Sequence, residues 1–301
     1  KIFNRSDESR AIFASTHNCR LLAMHDFVGA HSPVNGRADD YIDHDDRLIH
    51  LAQCTPLQRV EWSHARAANC QIWLKRDDLV HHAVSGNKLF KLFHPVKHAL
   101  SSGCQGLISF GGRHSNHLYA LAKLSQALKL PSAAIVRGDE INPNCERGTL
   151  LDELRGLGMQ LQPVARSVYR QKNQIEFLST LRRQFPSYYI IPEGGEGLLG
   201  AQGFADYALG LKRQLQTANT HIDSVWLACG TGTTLAGLAT SDLNLQAVCA
   251  LAAQERQAYK IAIEQLTCQL RQKLNATPAK ANPVGWHGFD VPFGKLPPPM
   301  L

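Results

Sequence analysis

Between Gly106 and Ala239 short apolar runs alternate with longer amphipathic ones, and this alternation constrains the fold more than any other feature of the chain. Gly106-Leu107-Ile108-Ser109-Phe110, Ala133–Val136, Met159-Gln160-Leu161, Tyr188–Ile191 and Val225–Ala228 each read as a strand. Between them lie helical stretches. One is capped by Ser115-Asn116 and carries Leu118, Leu121, Ala122 and Leu128. The others are Cys145 to Leu157, stopped by Gly158, then Gln174 to Phe185, Gly203 to Leu215 and Leu235–Ala239. Strands that alternate with helices predict an α/β fold with mainly parallel sheets and helices on both faces. No internal repeat is visible.

The flanks are less regular. Thr55-Pro56-Leu57 starts a turn into an extended segment, Gln71–Arg76 reads as a buried strand, and Asp77-Asp78-Leu79 closes it. Gln254 to Leu274 has a helical pattern. The tail from Pro278 is rich in proline and glycine, and no further strand or helix is expected there. Residues 1–46 hold two apolar patches and an acidic stretch without recognisable chemistry, and they read as an N-terminal extension.

With 301 residues the chain is long enough for two domains. Hydrophobic residues make up 44% and charged ones 19%, a globular balance. No apolar run reaches the length of a membrane span, and no signal segment is visible at the start. The net charge of +7 comes from scattered lysines and arginines. The densest cluster, Arg166, Arg170 and Lys172, has only Tyr169 as an interleaved aromatic, so the charge implies a solvated surface attractive to small anions rather than a nucleic-acid site. His81-His82 and His114-x-x-His117 lack the cysteine or acidic partners of a zinc site, and no metal is expected. None of the eight cysteines forms a CxxC pair. Free thiols in a reducing cytoplasm account for them.

Three loops carry the candidate chemistry. In the first, Ser85-Gly86-Asn87-Lys88 precedes an amphipathic run with Leu89, Leu92, Phe93 and Val96 at helical spacing. Lys88 therefore starts a helix beside a loop, with space left by Gly86. A lysine that forms a Schiff base must be neutral, partly desolvated and reachable, although most lysines are simply solvated. The second loop, Gly111 to His117, joins a strand to a helix where backbone amides favour an anion. Its Ser115 and Asn116 also fit plain helix caps. The third is Gly230-Thr231-Gly232-Thr233-Thr234. Its glycines permit close approach of phosphate and its hydroxyls add donors. No lysine follows, so it is not a Walker loop, and it fits GxGxxG poorly. A nucleotide-binding dehydrogenase would also need an acid at the end of the next strand, where Glu255-Arg256 is a poor match. An amine, a hydroxyl with an amide, and a phosphate cradle together suit a phosphorylated aldehyde cofactor.

In this light the sequence resembles the pyridoxal-phosphate enzymes of the 1-aminocyclopropane-1-carboxylate deaminase and D-cysteine desulfhydrase family. Six stretches carry the resemblance in the family's order: Thr55-Pro56-Leu57, Leu74–Leu79, Ser85–Lys88, Ser115-Asn116-His117, Pro192 to Gly203 and Gly230–Thr234. The resemblance implies a two-domain, type II fold, similar to the tryptophan synthase β chain. The larger domain would combine 47–90 with 190–301, and the smaller would be 91–189. It implies pyridoxal 5'-phosphate held as an imine on Lys88, with Asn87 beside it. Ser115 would be the nucleophile or proton-transfer serine, Asn116 would contact the ring hydroxyl, and Gly230, Thr231, Gly232, Thr233 and Thr234 would bind the phosphate. The implied activity is breakdown of a small amino acid to a 2-oxo acid and ammonia by a cytoplasmic homodimer with neither nucleic-acid nor membrane partners. Glu193-Gly194-Gly195 is closer to the desulfhydrase pattern than to the Gly-Cys of deaminases, which favours D-cysteine over the cyclopropane amino acid. Departures are His114 where glutamine is common, Thr233 where the family has glycine, and no match to its C-terminal Asp-Pro-x-Tyr-Thr-Gly-Lys-like segment. The last leaves open a fragment or an inactive cofactor-binding protein.

Overall fold

A computed structural model describes residues 45–81, 84–138, 148–241, 243, 245, 247–252, 257–274 and 284–285. In chain order the elements are α1 (Asp46–Cys54), β1 (Leu57–Val60), α2 (Ser63–Ala67), β2 (Ile72–Lys75), α3 (Asn87–Ser101), β3 (Gly106–Gly111), α4 (Asn116–Ala127), β4 (Ser132–Arg137), α5 (Leu150–Gly156), β5 (Met159–Val164), α6 (Arg166–Tyr169), α7 (Ile175–Gln184) and β6 (Tyr188–Ile190). After a single turn at Glu193–Gly195 come α8 (Leu198–Thr217), β7 (Ser224–Cys229), α9 (Thr233–Ala239), β8 (Ala247–Ala252), α10 (Gln257–Lys273) and β9 (Val284–Gly285). They fall into two compact units, one built on His50–Gly195 and the other on Glu196 onward together with the residues just before His50.

The first unit is built on a parallel sheet ordered β5-β4-β3-β6. Strands β3 and β4 are buried almost throughout, as central strands covered on both faces must be. Ile108, Phe110, Ala133 and Ile135 pack with Tyr169, Leu181 and Phe185 into one cluster. Helix α3 buries Leu89, Phe90, Leu92, Phe93 and Val96. Pro95 sits inside that helix and removes the helical donor to the Lys91 carbonyl.

The second unit carries the parallel sheet β7-β8-β9. Helix α8 is buried along most of its length, and α9 packs against it so closely that a Cβ at Gly237 would stand 2.3 Å from the Ala201 carbonyl.

Parallel α/β architecture is therefore observed as expected. Helix α1 follows the expected extension, which lies almost wholly outside the described residues, and Leu48, Ile49, Leu51 and Ala52 form its buried stripe. Three local readings are corrected. Strand β2 is half-exposed rather than buried: it pairs only with β1, antiparallel, and Leu74 faces solvent. Helix α8 starts at Leu198, five residues before the expected Gly203, because Gly200 and Gly203 are helical here and do not break it. Val284–Gly285, in a tail expected to be irregular, pairs with β8. The expected helix from Cys145 and the acidic position Glu255 start in or lie in residues outside those described.

Candidate active site

In the first unit, the chain leaves the turn at Asp77–Leu79 and reaches α3 through Gly86. Gly86 adopts φ 65° and ψ −155°, a conformation that a side chain strains, and its N–H donates to the Asp77 carbonyl at 2.8 Å. Asn87 is thus the first and Lys88 the second residue of α3. Lys88 is half-buried, and burial pushes its pKa below the usual lysine value. Its amine meets no hydrogen-bond or ion-pair partner among the described residues. A partly desolvated, reachable amine is what imine chemistry requires. Lys75, by contrast, is lowered to about 8 by burial yet donates to the Ala52 and Thr55 carbonyls at 2.6 and 2.8 Å, which ties β2 to the end of α1.

The second loop follows β3. Ser115 is the N-cap of α4, its hydroxyl accepting the Leu118 N–H at 3.3 Å. The turn closes so tightly that a Cβ at Gly111 would lie 2.6 Å from Ser115 Oγ. Asn116 opens α4 and is exposed. His117 points inward, 3% exposed, and its Nε2 lies 2.8 Å from Ser109 Oγ. Ser109 in turn donates to the Ile191 carbonyl at 2.8 Å. Burial, reinforced by the positive charges of Lys88 and Lys91, pushes His117 down to about 3, so the ring is neutral. Ser109 and His117 form a buried polar link that sequence reasoning missed. The available signal was a serine in the middle of an otherwise apolar β3.

Close to α3, Gly194 and Gly195 both take left-handed φ, 70° and 69°. A Cβ at Gly195 would meet Lys91 Cβ at 3.0 Å and the Lys91 carbonyl, the one Pro95 leaves without its helical donor, at 3.3 Å. Glu193 pairs with Lys172 at 3.3 Å, and the Lys172 ammonium lies 5.3 Å from the centre of the Tyr169 ring. This absorbs part of the basic cluster noted in the sequence.

The third loop belongs to the second unit. Gly232, at φ 74° and ψ −8°, turns β7 into α9, and a Cβ there would strike Ile263 at 2.2 Å. Thr233 opens α9 with ordinary helical backbone, so the left-handed conformation falls on Gly232 and threonine is unstrained. Thr231 and Thr233 hydroxyls lie 2.9 Å apart. Among the described residues Thr234 Oγ1 is buried without a partner and no side chain caps α9. An uncapped helix start beside an unsatisfied buried hydroxyl fits a phosphate, and Lys88 fits an aldehyde. The residues present suit pyridoxal phosphate.

The comparisons agree. The family model described as "Pyridoxal-phosphate dependent enzyme" matches residues 50–261, more than half of the chain. The chain is 32% identical over 197 residues to the D-cysteine desulfhydrase of Serratia proteamaculans, covering 64% of this chain and 59% of the relative. It is 30% identical over 206 residues to the mitochondrial bifunctional D-cysteine desulfhydrase/1-aminocyclopropane-1-carboxylate deaminase of Arabidopsis thaliana, covering 65% and 50%. The solved structure of a 1-aminocyclopropane-1-carboxylate deaminase homologue superposes with TM-score 0.63 at 25% identity, covering 78% of this chain and 71% of that one. The chain spans between half and about three fifths of the length of the curated relatives it matches. The type II architecture and the cofactor class expected from sequence are both found, and with Lys88 at a helix start and a phosphate-ready turn after β7 this chain belongs to the family of pyridoxal-phosphate dependent enzymes.

Proposed function

We propose that the protein degrades a small amino acid to a 2-oxo acid and ammonia, with D-cysteine as the favoured substrate: D-cysteine and water give pyruvate, ammonia and hydrogen sulfide. The observation that carries this reading is the desolvated Lys88 amine at the start of α3, which has no partner among the described residues. Bound pyridoxal phosphate supplies an aldehyde for amine exchange and an electron sink for the α-carbanion. Lys88 holds the cofactor at rest and, once released, its amine takes the α-proton. Asn87 lies beside it, and Asn116 hydrogen-bonds the ring hydroxyl. Ser115 orients the substrate. The amides and hydroxyls of Gly230, Thr231, Gly232, Thr233 and Thr234 hold the phosphate. In this proposal residues 47–90 act with 190–301 and residues 91–189 form the smaller domain of a cytoplasmic homodimer.

The second reading is 1-aminocyclopropane-1-carboxylate deamination to 2-oxobutyrate and ammonia. The two differ at the glycine turn. A side chain at Gly195 would sit on a left-handed backbone and crowd Lys91 Cβ at 3.0 Å, which disfavours the larger residue of the Gly-Cys pattern and supports the desulfhydrase-like reading.

Borohydride reduction of the cofactor-loaded chain, followed by peptide mapping, is expected to place the label on Lys88. A label on another lysine overturns the assignment. Turnover of D-cysteine is expected to exceed that of the cyclopropane amino acid, and the reverse ranking overturns the substrate. A cofactor band without turnover of either would mark a cofactor-binding protein that is not an enzyme.

A further inference from the structure

The Ser109–His117 link has a chemical consequence. A serine hydroxyl has a single proton, and the Ile191 carbonyl is able only to accept. With both contacts at 2.8 Å, the Ser109 proton goes to Ile191 and Ser109 Oγ accepts from His117 Nε2–H. The hydrogen-bond network thus fixes the tautomer. His117 Nδ1 is then a bare lone pair, and it is buried with no partner among the described residues. An unsatisfied acceptor in a buried ring that already makes one strong bond calls for a donor.

The titratable groups on the elements packed against α4 are Lys88, Lys91, His94, Lys97 and His98 on α3, Asp152, Glu153 and Arg155 on α5, Glu193 in the glycine turn and Arg137 on β4. Asp152, Glu153 and Lys97 are exposed, and the charges that act on His117 are those of Lys88 and Lys91. Glu193 is held by Lys172. Lys91 is 4% exposed, is pinned beneath Gly195 and has interactions of its own. Lys88 is half-buried, partner-free among the described residues and carried on a flexible four-carbon stem. Resting on the proposed role of Lys88, we propose that His117 is its positioning residue: the Nδ1 lone pair, fixed by the Ser109 relay, accepts a hydrogen bond from the Lys88 ammonium whenever that amine is free of the cofactor. The two are not bonded in this structure, so the lysine stem swings to make the contact. The imidazole takes no proton itself. It parks the charged amine after proton abstraction, and Ser109 keeps the ring from presenting N–H instead of a lone pair.

Two isosteric amides separate this role from a structural one. Glutamine places its amide near the Nε2 position, so His117→Gln keeps the bond to Ser109 and loses the Nδ1 acceptor. Asparagine reaches only the Nδ1 position, so His117→Asn keeps an acceptor there and loses the Ser109 bond. The readout is the pH dependence of acetic-anhydride labelling of Lys88 in the full chain freed of cofactor, mapped by mass spectrometry. His117→Gln is expected to lower the apparent pKa of Lys88 by about one unit, the size of a lost hydrogen bond to a charged group. His117→Asn is expected to leave it within a few tenths of a unit. Long-range ¹H–¹⁵N spectra of the wild type are expected to show Nε2 protonated and Nδ1 bare, and Ser109→Ala is expected to mix the tautomers. Equal labelling curves for the Gln and Asn variants, or a protonated Nδ1 in the wild type, overturn the proposal. Borohydride labelling of a lysine other than Lys88 overturns the proposed function, but it leaves the labelling curves to decide the lysine–imidazole contact independently.

Discussion

Two turns in this molecule do the same geometric job by opposite means. Both carry the chain from the carboxyl end of a parallel strand into a helix. The turn from β3 into α4 folds a serine back on itself: Ser115 Oγ takes the Leu118 N–H, and the absence of a side chain at Gly111 makes room for it. The turn from β7 into α9 passes through left-handed Gly232, and among the described residues no side chain caps the helix and Thr234 Oγ1 has no partner. A helix start has several orphan N–H groups. The first turn satisfies one with its own serine. The second leaves its start without a side-chain cap among the described residues. Identical placement in the topology therefore does not make identical turns, and the proposed phosphate site falls on the uncapped one.

Gly232→Ala is expected to break this contrast most severely. The new Cβ meets Ile263 at 2.2 Å, and alanine also has to adopt a left-handed backbone. Together these cost about 2–5 kcal/mol from strain and overpacking, read as a fall in the midpoint of urea unfolding. Adding Ile263→Ala relieves the clash but not the backbone strain, so the double variant is expected to lose less than the sum of the two single changes. Strictly additive losses would show that the contact with Ile263 does not fix Gly232.

Gly111→Ala attacks the other turn. No left-handed backbone is involved, so what opposes it is crowding, by Ser115 Oγ at 2.6 Å and by Ser115 Cβ and Leu118 Cδ1 at 2.7 Å. A loss of about 1–3 kcal/mol is expected. Ser115→Ala in the same chain opens space only at the oxygen, so rescue is partial. A Gly111→Ala chain as stable as the wild type would show that the turn is loose.

These turns also show what the sequence makes legible. Strand β3, the caps of α4 and the glycine-threonine run after β7 are local patterns, and local patterns survive in the text of the chain. The ordinary helical backbone of Thr233 is what a β-branched residue favours, and the left-handed conformation falls on Gly232 instead. What stayed hidden depends on partners far away in sequence. Ser109 meets the Ile191 carbonyl across 82 residues, and no periodicity reports that. The demand for glycine at 195 comes from Lys91 on another element. Helix α1 was missed because its nine residues sit beside a stretch without pattern, and strand β2 reads as buried because its apolar content conceals that β1 is its single neighbour among the described residues.

The smallest expected effect on stability is also the most discriminating, because Ser115 is assigned two roles. As a cap it holds the Leu118 N–H; as the proposed site residue it would orient substrate. Alanine removes both functions, whereas glycine removes the hydroxyl but is tolerated at an N-cap. Ser115→Ala is therefore expected to cost about 1 kcal/mol of stability and Ser115→Gly only a few tenths. If the hydroxyl acts only through the cap, turnover should follow stability, and the glycine variant should retain most of the wild-type rate with D-cysteine. If it acts on the substrate, both variants should lose rate equally despite their different stabilities. A moderate, equal loss with D-cysteine fits an orienting role, since in the proposed reaction Lys88 alone would perform the proton chemistry and thiolate is a good leaving group. The cyclopropane substrate has no α-proton, so there the same two variants are expected to fall by about 10²–10⁴-fold, the size of a proton-transfer contribution. Urea midpoints and initial rates on both substrates, measured on both variants, decide the matter. A glycine variant with wild-type rates on both substrates would confine Ser115 to capping α4.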